Sequence, residues 1–457
     1  MNPQIFREYD IRGLVEQDLS PENVEQIGKA IGTYFRRHGK KTLTLGWDIR
    51  DSSKTFREIL TRALNGTGCD VIDIGMVPTP VAYYSLHHLE VDGGVMITGS
   101  HNPPEFNGFK ISFETHSLYG KRIQELKTLI DHSDFETGNG TAREQDIKPG
   151  YMDHIAGIIN ISRPLKVVLD GGNGCFGIIG PEFFRRLGVE VIEQYCEPDG
   201  TFPNHHPDPT VPRYMADLMT RVKRERADLG IGFDGDADRI GVVDDQGTLL
   251  WGDQLLILYA RELLQRHPGT AVVGEVKCSR NLFEDIKKHG GQPHMSAAGH
   301  SLIKKKMQET QALLAGEMSG HMCFADSYYG FDDAIYAACR ILEIVANTGQ
   351  PVSEMLADLP VMHNTPEIRI DCPDHLKFRV VKEVTETFRA KYDVVDIDGV
   401  RVEFEDGWGL LRASNTQPVL VLRFEATSKA KLNAYQELMR EQLEPYKPDV
   451  NFSPVSA

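Results

Sequence analysis

Apolar residues recur along this chain with two periods: short hydrophobic runs of strand length, and longer stretches with an apolar stripe every three to four residues. Together they make a unit of strand, polar loop, amphipathic helix, glycine and strand, and the unit appears three times. It runs from Leu43-Thr-Leu-Gly-Trp-Asp to Asp70-Val-Ile-Asp-Ile, from Lys166-Val-Val-Leu-Asp to Val189-Glu-Val-Ile, and from Ala271-Val-Val-Gly-Glu-Val to Gln292-Pro-His-Met. Phe56, Ile59, Leu60, Ala63 and Leu64 line one face of the first helix. Phe183, Phe184 and Leu187 repeat that face in the second, and Leu282, Phe283 and Ile286 in the third. Gly66, Gly188 and Gly290 stand where the helices should end, as caps able to take positive φ.

Strand, helix and strand with short connections imply right-handed crossovers and largely parallel sheets. After about residue 360 the pattern changes. A helix around Leu376–Tyr392 leads into a hairpin turning at Asp398-Gly399, more strand follows at Val419–Phe424, and a last helix sets Leu432, Tyr435, Met439 and Leu443 on one face. The fold class is therefore α/β, with three similar mixed α/β domains and a C-terminal α+β domain. The turn-rich Thr137–Thr141 and the segments near 249 and 360 mark the boundaries, giving 1–146, 147–249, 250–360 and 361–457.

A chain of 457 residues is too long for one core, which agrees with that division. A net charge of −16 makes nonspecific binding to nucleic acid or membrane an unfavourable expectation. It also requires that an anionic substrate be drawn in by local cations and N–H groups. No apolar run is long enough to cross a bilayer, and no basic segment followed by an apolar stretch opens the chain. Seven cysteines without a Cys-x-x-Cys pair argue against a disulfide framework or a thiolate zinc site. The expected compartment is the reducing cytoplasm.

Four segments carry candidate chemistry. Ile97-Thr-Gly-Ser-His-Asn-Pro-Pro follows an apolar strand, so Ser100 sits where open α/β sheets present their reactive groups, with His101 beside it. The same residues also suit an ordinary turn. In Gly232-Phe-Asp-Gly-Asp-Ala-Asp-Arg, the carboxylates of Asp234, Asp236 and Asp238 repel one another unless a cation gathers them. Small residues between them let the loop curl, and hard oxygen donors suit Mg²⁺. A solvated acidic loop is the plainer alternative, and Arg239 follows as a possible phosphate ligand. Glu317, Ser319 and His321 in Ala315-Gly-Glu-Met-Ser-Gly-His should face one way in an extended stretch, suiting vicinal sugar hydroxyls or a plain strand edge. Arg412, Ser414, Asn415 and Thr416, in Leu411-Arg-Ala-Ser-Asn-Thr-Gln-Pro, form either a cradle for a phosphate dianion or a capped turn.

A fifth segment points elsewhere. Gly172-Asn-Gly-Cys-Phe-Gly matches a dinucleotide fingerprint after a strand, with Glu193 placed like a ribose-binding acid, so an NAD-dependent oxidoreductase is a competing reading. His205-His206 belongs to a proline-rich connection rather than a metal site, because neighbours in extended chain point apart. Lys277 and His300 lie on small-residue loops where they either touch substrate or are solvated.

Taken in order, the segments resemble the α-D-phosphohexomutase family along essentially the whole chain. Thr98-Gly-Ser-His-Asn-Pro looks like its phosphoserine loop, Asp234-Gly-Asp-Ala-Asp-Arg its metal loop, Gly316-Glu-Met-Ser-Gly-His its sugar loop and Arg412-Ala-Ser-Asn-Thr its phosphate loop. Phe6-Arg-Glu-Tyr-Asp-Ile-Arg-Gly is similar to its start, where Tyr9 and Arg12 would line the cleft. Gly99 and Met318 favour the bacterial phosphomannomutase/phosphoglucomutase branch over the phosphoglucosamine mutases, which usually carry Ala and Gln there. The resemblance implies four domains around a central cleft, and it makes the Gly172–Gly177 segment a structural turn. It further implies sugar-phosphate substrates, Mg²⁺ held by phosphorylated Ser100 and the three aspartates, and a hexose 1,6-bisphosphate intermediate. His101 and Lys110, in Asn107-Gly-Phe-Lys, are then the candidates for proton transfer.

Overall fold

The computed structural model describes residues 1–414 and 417–455, which fall into two compact units. Met1–Tyr259 with Ser319–Met355 form the first, and Ala260–Met318 with Leu356–Ala457 the second.

Two sheets build the first unit. In one, the strand Thr42–Trp47 runs parallel to Asp70–Met76 on one side and Gly93–Ile97 on the other. In the other, Lys166–Asp170 runs parallel to Glu190–Gln194 and Leu229–Phe233. Neither sheet stays parallel, which corrects the expectation. Gly93–Ile97 pairs antiparallel with Phe106–Phe113, and Leu229–Phe233 with Ile240–Val243. The reason is chain length. The loops 98–105 and 234–239 are shorter than the roughly dozen residues a parallel crossover needs, so the chain can only return beside itself. Both loops that hold the candidate residues Ser100 and Asp234, Asp236 and Asp238 lie at such direct returns.

The helix Asp51–Gly66 forms as its spacing predicts and buries Phe56, Ile59, Leu60, Ala63 and Leu64. Against it packs the helix Pro21–Arg37, so closely that a Cβ on Gly28 would stand 2.7 Å from the Ala63 methyl. Gly188 and Gly290 follow their helices with φ of 84° and 79°, as expected of caps. Gly66 does not: it is the last helical residue, and the left-handed position is taken two residues later by Gly68, with φ 90°.

The second unit contains Ala271–Glu275 parallel to Gln292–Ser296 and to Leu314–Gly316. Its C-terminal sheet is antiparallel, with Val419–Ala426 between Gly407–Ala413 and Ile368–Asp371, and the helices Asp374–Arg389 and Lys429–Leu443 bury their apolar faces into the same core. The hairpin turning at Asp398-Gly399 is present, with Val395 opposite Arg401 and Gly399 at φ 78°. Buried Trp408 lies under the Arg401 guanidinium, 3.9 Å from its ring centre.

Candidate active site

The loop 98–105 holds Ser100 2 % exposed at φ 49°, a left-handed conformation that an L residue keeps only when its surroundings impose it. The amide of Ser100 donates to Thr98 Oγ1 at 2.8 Å, and that of Gly99 to Asp48 Oδ2 at 3.2 Å. Its hydroxyl donates to Asp234 Oδ2 at 2.9 Å and lies 3.1 Å from His101 Nδ1. Desolvation first, then the cations of Arg239 and Arg12, keep His101 well below its usual pKa and hence neutral. The one hydroxyl proton goes to Asp234, so this geometry suits Nδ1–H of His101 as a donor to Oγ. Arg12 reaches the same loop through Nη1 to Asn102 Oδ1 at 2.7 Å, while half-buried Tyr9 stands at the entry to the strand Ile11–Leu14.

Asp234, Asp236 and Asp238 are buried, and one carboxylate oxygen of each lies within 4.8 Å of the others. The amides of Asp238 and Arg239 donate to Asp234 Oδ1, while Thr79 Oγ1 donates to Asp236 Oδ2 at 2.6 Å. Lys110 enters from the strand Phe106–Phe113, with Nζ 2.6 Å from Asp236 Oδ2 and in direct contact with Asp238 Oδ2. Burial opposes its charge, but the two carboxylates outweigh burial and raise its pKa well above the lysine range. Burial likewise pushes Asp236 and Asp238 up, and in both the Lys110 ammonium helps reverse this and holds them low. In Asp234 burial and the charges of Asp236 and Asp238 outweigh the pull of Arg239 and Lys110, and raise it well above the carboxylate range.

Three buried carboxylates thus share the bound Lys110 ammonium, with the Arg239 guanidinium acting on Asp234 and Asp238, and among the described residues Asp236 Oδ1 is buried with no hydrogen-bond partner. A shortage of positive charge and an orphaned hard oxygen are what a divalent cation such as Mg²⁺ would satisfy, so the residues fit that ion. The Ser100 hydroxyl lies at the edge of this cluster, 2.9 Å from Asp234 Oδ2.

The segment 317–321 is not extended, contrary to expectation. Residues 318–319 form a turn and Gly320 takes φ 90°, so the three polar residues do not share a face. His321 instead joins the aspartate cluster. Its Nε2 accepts from Arg239 Nε at 3.2 Å, lies 3.4 Å from Asp238 Oδ1, and its Nδ1 is 3.2 Å from Ser319 Oγ. Asp332 lies in the same group.

In the second unit Lys277, Glu317 and Arg412 come together. Lys277 Nζ sits 3.2 Å from Glu367 and 3.8 Å from Glu275, and Glu317 and Arg412 are close enough to act on the charges of both Lys277 and Glu275. Burial lowers the Lys277 pKa, but the carboxylates outweigh it and raise it; Lys277 in turn brings Glu367 down to about 2. Glu317 Oε1 accepts from the Gly299 amide at 2.6 Å, just before His300 opens the helix His300–Thr310. Arg412 Nε donates to Asp398 Oδ2 at 2.8 Å. The Ser414 hydroxyl accepts from the Gln417 amide at 3.2 Å. Asn415 and Thr416 lie outside the described residues.

Four successive amides of the glycine-rich turn, which a pyrophosphate would need, are already engaged within the protein. Gly172 N donates to Asp170, Asn173 N to Tyr195 O, Gly174 N to Gly171 O and Cys175 N to Gly235 O. Glu193, assigned to a ribose in the oxidoreductase reading, pairs with Arg185 at 2.5 Å. Sequence reasoning missed Asp48, Arg50, Thr79, Glu275, Glu367 and Asp398. Asp48 and Arg50 had a usable signal, because they follow directly on the strand Thr42–Trp47, at its C-terminal end.

Family models described as phosphoglucomutase/phosphomannomutase match the chain four times in order. The alpha/beta/alpha domains I, II and III match residues 3–137, 149–247 and 251–362, and the C-terminal domain matches 367–442. A phosphomannomutase/phosphoglucomutase of Pseudomonas aeruginosa is 46% identical over 440 residues, covering 96% of this chain and 95% of the relative. A phosphoglucomutase of Neisseria gonorrhoeae is 42% identical, covering 96% of each. The crystal structure of a phosphoglucomutase/phosphomannomutase family protein from Burkholderia thailandensis superposes with a TM-score of 0.92 at 42% identity over 98% of each chain.

Proposed function

Because the chain belongs to the α-D-phosphohexomutase family, close to bacterial phosphomannomutase/phosphoglucomutase, we propose that it interconverts hexose 6-phosphate and hexose 1-phosphate through a phosphoserine at Ser100. It is an enzyme, an intramolecular phosphotransferase. The observation that carries the residue assignment is the Ser100 hydroxyl 2.9 Å from Asp234 at the edge of the buried aspartate cluster. The four sheets support the division at 146, 249 and 360, since none of their strands straddles 146 or 360 and only the two-residue strand Leu249–Leu250 lies at the remaining boundary.

Asp234, Asp236, Asp238 and phosphorylated Ser100 would hold Mg²⁺, which when bound neutralises charge on the transferring phosphoryl group. The sugar phosphate rests its own phosphate on Arg412, Ser414, Asn415 and Thr416, with Lys277 and His300 beside it, while Glu317 and Ser319 take hydroxyls. In the first unit, Tyr9, Arg12, Arg239 and His321 are the further candidates for contact with substrate. The free sugar hydroxyl attacks the phosphoserine; its new O–P bond forms as the P–Oγ bond breaks, and its proton passes to the protein, with His101 adjacent to Oγ to supply the proton Ser100 regains. Lys110 stays charged on Asp236 and Asp238 and transfers a proton only if substrate or metal loosens those pairs. The resulting hexose 1,6-bisphosphate reorients and returns its other phosphoryl group to Ser100. The names of the relatives support glucose and mannose phosphates as substrates. Among the described residues no helix is long and apolar enough to cross a membrane.

The test is turnover of glucose 1-phosphate and mannose 1-phosphate, with magnesium and a trace of the bisphosphate, beside intact-mass measurement. Wild-type protein should carry one phosphate and turn over both sugars. Ser100→Ala should lose the phosphate and nearly all activity while keeping its fold; a fully active Ser100→Ala protein would refute the phosphoserine.

A further inference from the structure

Arg50 is 2 % exposed, and its guanidinium is turned into the serine loop. Nη1 donates to Pro103 O at 2.6 Å and Phe106 O at 3.0 Å, and Nη2 to Ser100 O at 2.8 Å and Asn102 O at 2.6 Å. One guanidinium therefore collects four carbonyls of the loop that bears the nucleophile. Asp48 fixes the cation in turn: its Oδ2 is 3.2 Å from Arg50 Nε and accepts from the Gly99 amide, and its Oδ1 accepts from the Arg50 amide at 3.1 Å. Phe202 closes the other side, with its ring centre 5.1 Å from the guanidinium carbon. Gly99 leaves room for all this, because a Cβ there would meet Arg50 Nε at 2.5 Å. Burial lowers the Arg50 pKa against the pull of Asp48, so the charge is kept in place at a cost that packing alone does not explain.

Two consequences follow for Ser100. Its left-handed φ is gripped on both sides, through Ser100 O and Asn102 O on one nitrogen and through the Ser100 amide on Thr98. The four carbonyl dipoles also point their negative ends at Arg50, and so are drawn away from a dianionic phosphate on Oγ. Building on the mutase reading above, we propose that Arg50 is a positioning residue for phosphoryl transfer, holding the serine loop so that Oγ meets the aspartate cluster and no backbone carbonyl opposes the phosphate.

The test is Arg50→Lys, which keeps the charge but cannot span four acceptors. It is assayed beside wild type for kcat, KM, far-UV circular dichroism and the fraction of Ser100 phosphorylated. A misplacement of about 1 Å can cost about a hundredfold in rate, so kcat should fall by about that factor, while KM, set by sugar-binding residues elsewhere, stays within about threefold. A merely structural role would instead lower the folded fraction and leave kcat per folded molecule unchanged. If Arg50→Lys fails to fold, Gly99→Ala decides, because its methyl displaces the guanidinium without removing it: the same loss confined to kcat supports the proposal. Wild-type kcat in the folded Arg50→Lys protein, or in Gly99→Ala, overturns it. An inactive, unphosphorylated wild type would instead sink the mutase reading on which it rests.

Discussion

Replacing Lys110 by Met tests the charge balance of the aspartate cluster. The lysine side chain is 7% exposed and pairs with carboxylates that are 0% and 1% exposed, while methionine is apolar, unbranched and fills much of the same space. Removing one partner of a buried pair leaves the other uncompensated and costs about 3–5 kcal/mol. At roughly 2–4 °C per kcal/mol for a domain of this size, the metal-free protein should melt about 10 °C lower. Magnesium should recover more of that loss than it adds to wild type, because the variant's cluster has lost the ammonium paired with Asp236 and Asp238. At a hundredfold excess over its Kd, a ligand adds about 2.7 kcal/mol, which thermal scans in chelator and in magnesium resolve easily. A variant melting within about 2 °C of wild type in chelator, or gaining no more from magnesium, would show that Lys110 does not offset the cluster's charge.

Two other perturbations probe neighbouring links. Thr79→Val removes the hydroxyl that orients Asp236 Oδ2 and should weaken magnesium binding by about 10–100-fold at an unchanged fold, read by titrating activity against free Mg²⁺; unchanged affinity would refute the role of that bond. Glu367 has its carboxyl held at about 2, by Lys277 first, against an ordinary 4.5, so the unfolded chain binds this proton more readily between those values. The stabilisation, on the order of 3 kcal/mol, is therefore full above about pH 4.5 and lost as pH falls toward 2. Glu367→Gln should be less stable than wild type at pH 6 and nearly equal to it near pH 2, measured by urea midpoints, and a difference independent of pH would contradict the assignment.

The three repeated units, the C-terminal hairpin and the placement of Ser100 and the aspartates at strand ends were legible in the sequence because each rests on local periodicity or on a short loop. What was not legible depends on contacts far along the chain. His321 sits in an otherwise ordinary turn, and only its bridge to Arg239 brings it to Asp238. Thr79 meets Asp236 across 157 positions and Lys110 across 126, separations that no window of sequence reports. Gly66 was misplaced by two residues because a terminal helical turn accepts a glycine without needing its positive φ.

The small residues of the aspartate loop were read correctly but for an incomplete reason. Gly235 does more than let the loop curl: a Cβ there would stand 2.3 Å from Ser100 O, so the serine loop rests directly on it. On its other side Gly235 O accepts from Cys175 N at 2.9 Å, and Gly174 approaches that same carbonyl to within 2.8 Å of where a Cβ would be. The glycine-rich turn that resembles a nucleotide fingerprint is thus the floor under the aspartate loop, and the Cys175 amide bonds to that loop. Since Ser100 O is also the carbonyl that Arg50 holds, three backbone segments stack in one column: serine loop, aspartate loop and glycine turn. The carbonyl of Ser100 is thus held from two sides, by the Arg50 guanidinium and by the Gly235 backbone against it. In the same loop Ala237 takes φ 60°, its amide donating to Asp234 O and its carbonyl accepting from the Ala334 amide, so it is held at both ends.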